Sequence, residues 1–201
     1  WDDTIGLWSI QGLSDQGKNW KPQTGGDYFG VDFSLRKEHT RVKVKWGLSP
    51  EFKKRVVEER GEEEIFQQAD GVQVLRQKFM RSIPKPQRYL LRDRESWRKY
   101  YKPRLDPTTP TRYPADWDAR LPNWRDANRT NIVALRGGGL YGYLRDWMGM
   151  ENLSYVIYDD PAWFEEMVET LADLFVGMLE HVFASGGVFD GCHMWEDMCY
   201  N

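Results

Sequence analysis

Two runs decide the fold: Asn131-Ile132-Val133-Ala134-Leu135-Arg136-Gly137-Gly138-Gly139 and Val188-Phe189-Asp190-Gly191-Cys192-His193-Met194-Trp195-Glu196-Asp197. The first is apolar and β-branched up to Leu135, then meets glycines that let the backbone turn tightly, so it predicts a strand over 131–135 followed by a bend. The second predicts another strand, which delivers Glu196 and Asp197 at its far end. Between them, Asp159-Asp160-Pro161 sets capping carboxylates ahead of a proline at the first helical position. Apolar residues from Phe164 to Val182 then recur at three- and four-residue steps until Gly186-Gly187 stop the helix. A helix between two strands implies parallel strands joined by a right-handed crossover.

A chain of 201 residues, 40% hydrophobic and 14% aromatic, can bury a core, which excludes a disordered chain and a small disulfide-stapled fold. A net charge of -3 argues against nucleic acid or an anionic membrane as partner. No apolar run approaches the length needed to span a bilayer. Cys192 and Cys199 are too few for a disulfide framework, so a reducing, cytoplasmic location is expected. Because the chain starts at Trp1 and stops just after a strand, it is expected to be part of a longer protein, with an unpaired sheet edge that makes it poorly soluble alone.

Residues 1–130 form the lead-in. Short extended pieces are expected at 28–33 and 41–46, the latter alternating charged and apolar residues as a half-exposed strand does. Breaks at Arg60-Gly61 and Asp70-Gly71 predict an antiparallel meander of strands over 54–59, 63–68 and 72–77. Prolines from Pro84 to Pro122 rule out long helices, leaving room for two short ones: Asp93 caps 94–101, and Pro114 or Asp116 opens a second that frays towards Pro122. Arginines and lysines between Arg88 and Arg104 alternate with Tyr89, Trp97, Tyr100 and Tyr101. Such interleaving suits single-stranded nucleic acid, but in an acidic chain the expected role is a solvated helix face whose aromatics dock on the fold.

Three clusters invite a functional reading. Gly137-Gly138-Gly139-Leu140-Tyr141-Gly142 formally matches the dinucleotide fingerprint, with 154–159 as a second strand ending in an acid. Against it, the helix over 140–148 is short and Tyr141 is bulky where backbone should meet pyrophosphate. Cys192, His193 and Cys199 suggest zinc, yet adjacent strand residues face opposite ways and no paired C-x-x-C accompanies them, so no metal is assigned to them. Glu196 and Asp197 are better placed, because acids at the carboxyl end of a parallel strand sit where α/β sheets and barrels bind ligands. Either could instead cap the next helix.

The run from Gly139 to Gly149, then Tyr158-Asp159-Asp160-Pro161 and Trp195-Glu196-Asp197-Met198, resembles the uroporphyrinogen decarboxylase-like superfamily, and within it a bacterial subfamily of decarboxylase-like proteins. Gln11-Gly12-Leu13, Tyr28-Phe29-Gly30-Val31-Asp32 and Trp46-Gly47-Leu48-Ser49-Pro50-Glu51-Phe52 carry the same similarity. The resemblance implies an α/β fold, a partial (β/α)8 TIM barrel whose first βα units occupy 131–201, with the antiparallel β-meander as an N-terminal addition. It also implies a single cleft at the strand ends. Superfamily members include cofactor-free tetrapyrrole decarboxylases and zinc-dependent methyltransferases that work with corrinoid proteins.

The resulting expectation is cofactor-free decarboxylation of an anionic, tetrapyrrole-type substrate. Arg136 and Arg145 are expected as carboxylate clamps, Asp32 or Asp197 as the group facing the pyrrole nitrogens or developing cation, and Tyr143 as a hydrogen-bond donor. Gly138, Gly139, His193 and Glu196 complete the expected substrate-contacting set. The decarboxylases' Gln-Ala-Gly-Arg-Tyr motif is not present in these residues, which leaves corrinoid- and zinc-dependent methyl transfer as the alternative. A non-catalytic binding module is the third reading. Besides a small anionic ligand, a homodimer of the full-length protein is the one partner left open.

Overall fold

The computed structural model describes residues 11–12, 40–79, 83–129 and 131–196; the extended piece expected at 28–33 lies outside them. In chain order the elements are β1 (Thr40–Arg41), β2 (Arg55–Arg60), β3 (Glu63–Gln67), β4 (Gln73–Gln77), β5 (Lys85–Arg88), α1 (Arg94–Ser96, continued by a π-helical turn over Trp97–Tyr101), α2 (Trp117–Arg125), β6 (Val133–Gly137), α3 (Leu140–Met148), α4 (Met150–Asp159), α5 (Pro161–Ala184) and β7 (Gly191–Met194). The result is a mixed α/β structure with two sheets. One is parallel, in the order β1-β6-β7, and does not close into a barrel among the described residues; the other is antiparallel, in the order β2-β3-β4-β5.

The strand-helix-strand prediction holds at its centre and shifts at its ends. Asp160 caps α5, accepting from the Trp163 N–H at 3.3 Å, and Pro161 is its first residue. Met167, Leu171, Leu174, Met178 and Val182 form its buried stripe, each worth roughly 1.5–3 kcal/mol against exposure. β6 starts two residues later than 131 because Asp190, not a ladder partner, takes the Val133 N–H at 2.8 Å. Val133 and Leu135 then pack with Val42, Trp124 and Val182 in one apolar cluster.

Four local expectations are corrected. Residues 154–159 are not a strand but the second half of α4. Gly149, at φ +84°, lets the chain turn after α3 and restart, and Leu153, Val156 and Ile157 then meet the core at helical spacing. Helix α2 runs through Pro122 to Arg125 rather than fraying before it, which brings Trp124 to near-complete burial. The proline-rich stretch also holds a strand, β5, which among the described residues pairs with β4 alone, so Pro86 sits where a missing N–H is tolerated. Residues 42–46 keep the expected alternation, with Val42 and Trp46 buried and Lys43 and Lys45 exposed, but leave the ladder because the Lys45 N–H donates to the Arg112 carbonyl at 2.9 Å.

The basic arm is docked by its aromatics and by charge. Trp97 and Tyr101 are fully buried. Arg94 forks onto Asp160 at 2.8 and 2.7 Å and reaches Glu166 at 3.3 Å, while Lys102 donates to Glu166 at 2.9 Å. The buried Arg112 guanidinium does more: it donates to the carbonyls of Asp106 at 2.7 Å, Lys45 at 2.7 Å, Gly47 at 2.6 Å and Arg104 at 2.5 Å. It thereby pins the 45–47 segment to the proline-rich arm.

Replacing Arg112 with Met leaves four part-buried carbonyls without that donor. At about 1–3 kcal/mol for each unsatisfied group, with partial relaxation, the loss should be at least about 3 kcal/mol, read as a lower urea midpoint. The arm's charges give a pH signature. Hydrogen bonds from Arg94 hold the Asp160 carboxyl below its usual range, and Lys102, then Trp97, do the same for Glu166. Because the folded-state pKa values are lowered, this contribution is present at neutral pH and lost as pH falls through them, below about pH 4. Arg94→Gln should therefore flatten the fall of the urea midpoint with acidification; an unchanged slope would remove Arg94 from that role.

Candidate ligand site at the carboxyl ends of the parallel strands

β6 and β7 end side by side at Gly137 and Met194, which are in register. The segment 42–46 continues β1 along the same end. These strand ends and the start of α3 surround a cavity of about 390 Å3, lined by Val44, Trp46, Gly137, Gly138, Gly139, Gly142, Tyr143, Arg145, Asp146 and Trp195. Four of the expected site residues, Gly138, Gly139, Tyr143 and Arg145, are brought together here.

The glycine run is explained by the protein's own groups. Glu196 Oε2 accepts from the N–H groups of Tyr141 at 3.0 Å and Gly142 at 3.1 Å, at the N-terminus of α3, where the helix dipole favours an anion. A Cβ on Gly139 would lie 2.5 Å from the Trp195 carbonyl oxygen, and one on Gly138 would lie 2.5 Å from Tyr143 Cζ. Glycine is thus required because β7's end and the Tyr143 ring press against the turn. The dinucleotide reading fails on two counts: the place of the pyrophosphate holds the Glu196 carboxylate, and the second strand is α4.

Tyr143 stacks on Trp147 with centroids 5.2 Å apart, and its ring also lies against Gly47, so its position is set by two elements. Arg145 donates from Nε and Nη2 to Asp146 Oδ1 at 3.1 and 3.0 Å. The pair is partly solvated, with side chains 27% and 57% exposed. Trp46 is buried, and its indole N–H has no hydrogen-bond partner among the described residues.

Elsewhere the expected site is less concentrated. His193 is exposed on β7, with its ring 5.9 Å from that of Trp195, and its backbone is in register with Arg136 on β6. Cys192 is exposed and in register with Leu135, one position away from His193. Asp32, Asp197 and Cys199 lie outside the described residues. Among the described residues, no group of three or more His, Cys, Asp or Glu is placed to hold a metal ion. Nor does any described helix have the length and apolarity to cross a membrane.

Sequence reasoning missed Asp146, Trp46 and Trp195 as cavity walls. Asp146 had a signal, since it follows Arg145 directly. The tryptophans had none, because their place depends on β1 and β7 ending at the same level.

Glu196→Ala removes the acceptor at the start of α3 and should cost about 1–2 kcal/mol, whereas Glu196→Gln, which keeps an oxygen, should cost less than half of that; urea unfolding of both variants checks the ratio. Comparison with known proteins finds no matching family model, curated protein or solved structure, so the functional reading rests on this geometry and on the motifs.

Proposed function

We propose that the three parallel strands belong to a (β/α)8 barrel of the uroporphyrinogen decarboxylase-like kind, and that its strand-end cavity binds a flat, carboxylate-bearing ring for cofactor-free decarboxylation. The observation that carries this reading is the cavity's composition. Trp46, Tyr143 and Trp195 line it at the carboxyl ends of parallel strands, together with Arg145, the one basic residue in the lining among the described residues. Aromatic walls suit a planar ring, and a guanidinium matches a carboxylate in a fork. In the reaction, the bond between the ring's side-chain carbon and the carboxyl carbon breaks and carbon dioxide leaves. The electron pair passes into the protonated ring, and a proton is then added at the side-chain carbon. The protein's part is to hold the carboxylate and to stabilise the ring cation with an acid. Asp146 is the acid that lines the cavity, and Asp32 and Asp197 remain the acids proposed from the resemblance.

One observation favours methyl transfer as the second reading. Arg145 is the one basic residue lining the cavity among the described residues, and Asp146 already faces it. That arrangement suits a ligand with one anionic group better than a ring bearing many carboxylates.

Purified full-length protein supplied with a pyrrole carboxylate should release carbon dioxide. Arg145→Ala should then raise KM at least tenfold, a loss of about 1.4 kcal/mol, with a smaller change in kcat. An unchanged KM would overturn the assignment of Arg145. Stoichiometric zinc by elemental analysis, with transfer of a methyl group to a corrinoid, would establish the second reading instead.

A further inference from the structure

A second cavity, of about 340 Å3, lies between the antiparallel sheet and helices α3 and α4, and its lining includes Gln68, Asp70, Tyr89, Arg145, Asp146 and Met150. Arg145 and Asp146 line both this cavity and the one at the strand ends. The two spaces therefore share one ion pair, supplied by adjacent residues of α3.

The chemistry changes across that pair. Among the described residues, Arg145 is the one basic residue that lines the strand-end side, together with aromatic residues. On the far side Asp70 joins Asp146, and among the described residues Arg145 is again the one basic residue in the lining, beside two carboxylates. Asp70 is fixed in place: its Oδ1 accepts the Val72 N–H at 3.0 Å, and its carbonyl accepts the hydroxyl of the buried Tyr101 at 2.9 Å. Burial, reinforced by the Asp146 charge, pushes the Asp70 carboxyl above its usual range. Tyr89 is held as an aromatic wall over Gly149, where a Cβ would lie 2.7 Å from the ring carbon Cε2.

We propose that this second cavity is a subsite for an ammonium or N–H-bearing group of the same ligand whose carboxylate lies against Arg145, so that the substrate is a carboxylate that also carries a cationic or N–H group. The inference rests on the reading of the strand-end cavity as a carboxylate site. The lining offers an ammonium two carboxylates, of Asp70 and Asp146, with Gln68 and the aromatic Tyr89 beside them, and carboxylates, amide oxygens and aromatic rings are the partners such a group takes. The ligand's charges substitute for the protein's own pair: the carboxylate takes Arg145 while the ammonium takes Asp146, and no charge is stranded. The antiparallel sheet thereby becomes a determinant of specificity, through the turn that carries Asp70.

The test is a calorimetric titration of the full-length protein with unbranched ω-aminoalkanoates, from aminobutyrate to aminooctanoate, against unsubstituted alkanoates of the same length. The best aminoalkanoate should bind at least roughly tenfold tighter than its alkanoate. Asp70→Asn, which keeps an oxygen for the Val72 N–H, should abolish that advantage and leave alkanoate binding unchanged. If that variant does not fold, Tyr89→Leu with an unaltered thermal midpoint carries the same direction of effect, a smaller amine advantage with alkanoate binding unchanged. Equal affinity for the two series in the unsubstituted protein overturns the subsite and leaves the carboxylate reading standing. Binding of neither series overturns both.

Discussion

The buried guanidinium of Arg112 is the constraint on which the site's geometry depends. An arginine without exposure needs every donor satisfied, and here four backbone carbonyls from two distant segments converge on it. Two of them, Lys45 and Gly47, flank Trp46, so the bonds that neutralise Arg112 also fix Trp46 in the cavity wall. Gly47 in turn lies against Tyr143, which carries the constraint to α3. Burial holds the Arg112 proton affinity below its usual value, yet an arginine remains charged throughout the physiological range. The cost of burying that charge is offset only while both segments, 45–47 and 104–106, stay together.

A second tie runs in the opposite direction, from β7 back to α3. Glu196 places a carboxylate on the helix N-terminus that in nucleotide-binding folds faces a phosphate. The physics is the same, since unpaired N–H groups and the helix dipole seek an anion, but the anion is internal. The consequence is that the βα turn after β6 is joined to the end of β7. The two strand ends cannot move apart without exposing both a carboxylate and two amides. Glycines in the turn answer to steric demand from Trp195 and Tyr143, so a glycine-rich motif after a strand reports close approach without saying what approaches.

How much of this was legible in the sequence follows from the range of the interactions. The α5 stripe, the Asp160 cap, the meander and the parallel pairing of β6 with β7 are set by local period, capping chemistry and connection length, and these could be read. Residues 154–159 could not, because the short run of apolar and aromatic residues from Tyr155 to Tyr158 fits either period and only Gly149 and the core decide for the helix. Strand β5 was hidden by its prolines, which exclude a central strand but not an edge. At the site, Arg145, Tyr143 and the glycines were legible because they sit within one βα unit. Trp46, Trp195, Asp146 and Asp70 come together from four separate places in the chain, and nothing short of the tertiary fold brings them into one neighbourhood.

The ion pair shared by the two cavities has the energetics of a replaceable group. With its carboxylate 57% exposed, the Arg145–Asp146 contact falls in the class of solvated pairs worth about 0–1 kcal/mol. A ligand carboxylate seated among Trp46, Tyr143 and Trp195 would meet the same guanidinium with less water around it, where a charge-assisted fork is worth about 1.5–3 kcal/mol. Exchange therefore favours the ligand, provided the displaced Asp146 keeps solvent or gains a cation. A buried pair would have resisted such exchange, because breaking it strands a charge in a low-dielectric setting. Partial exposure is what would suit the pair to yield its guanidinium to the proposed ligand.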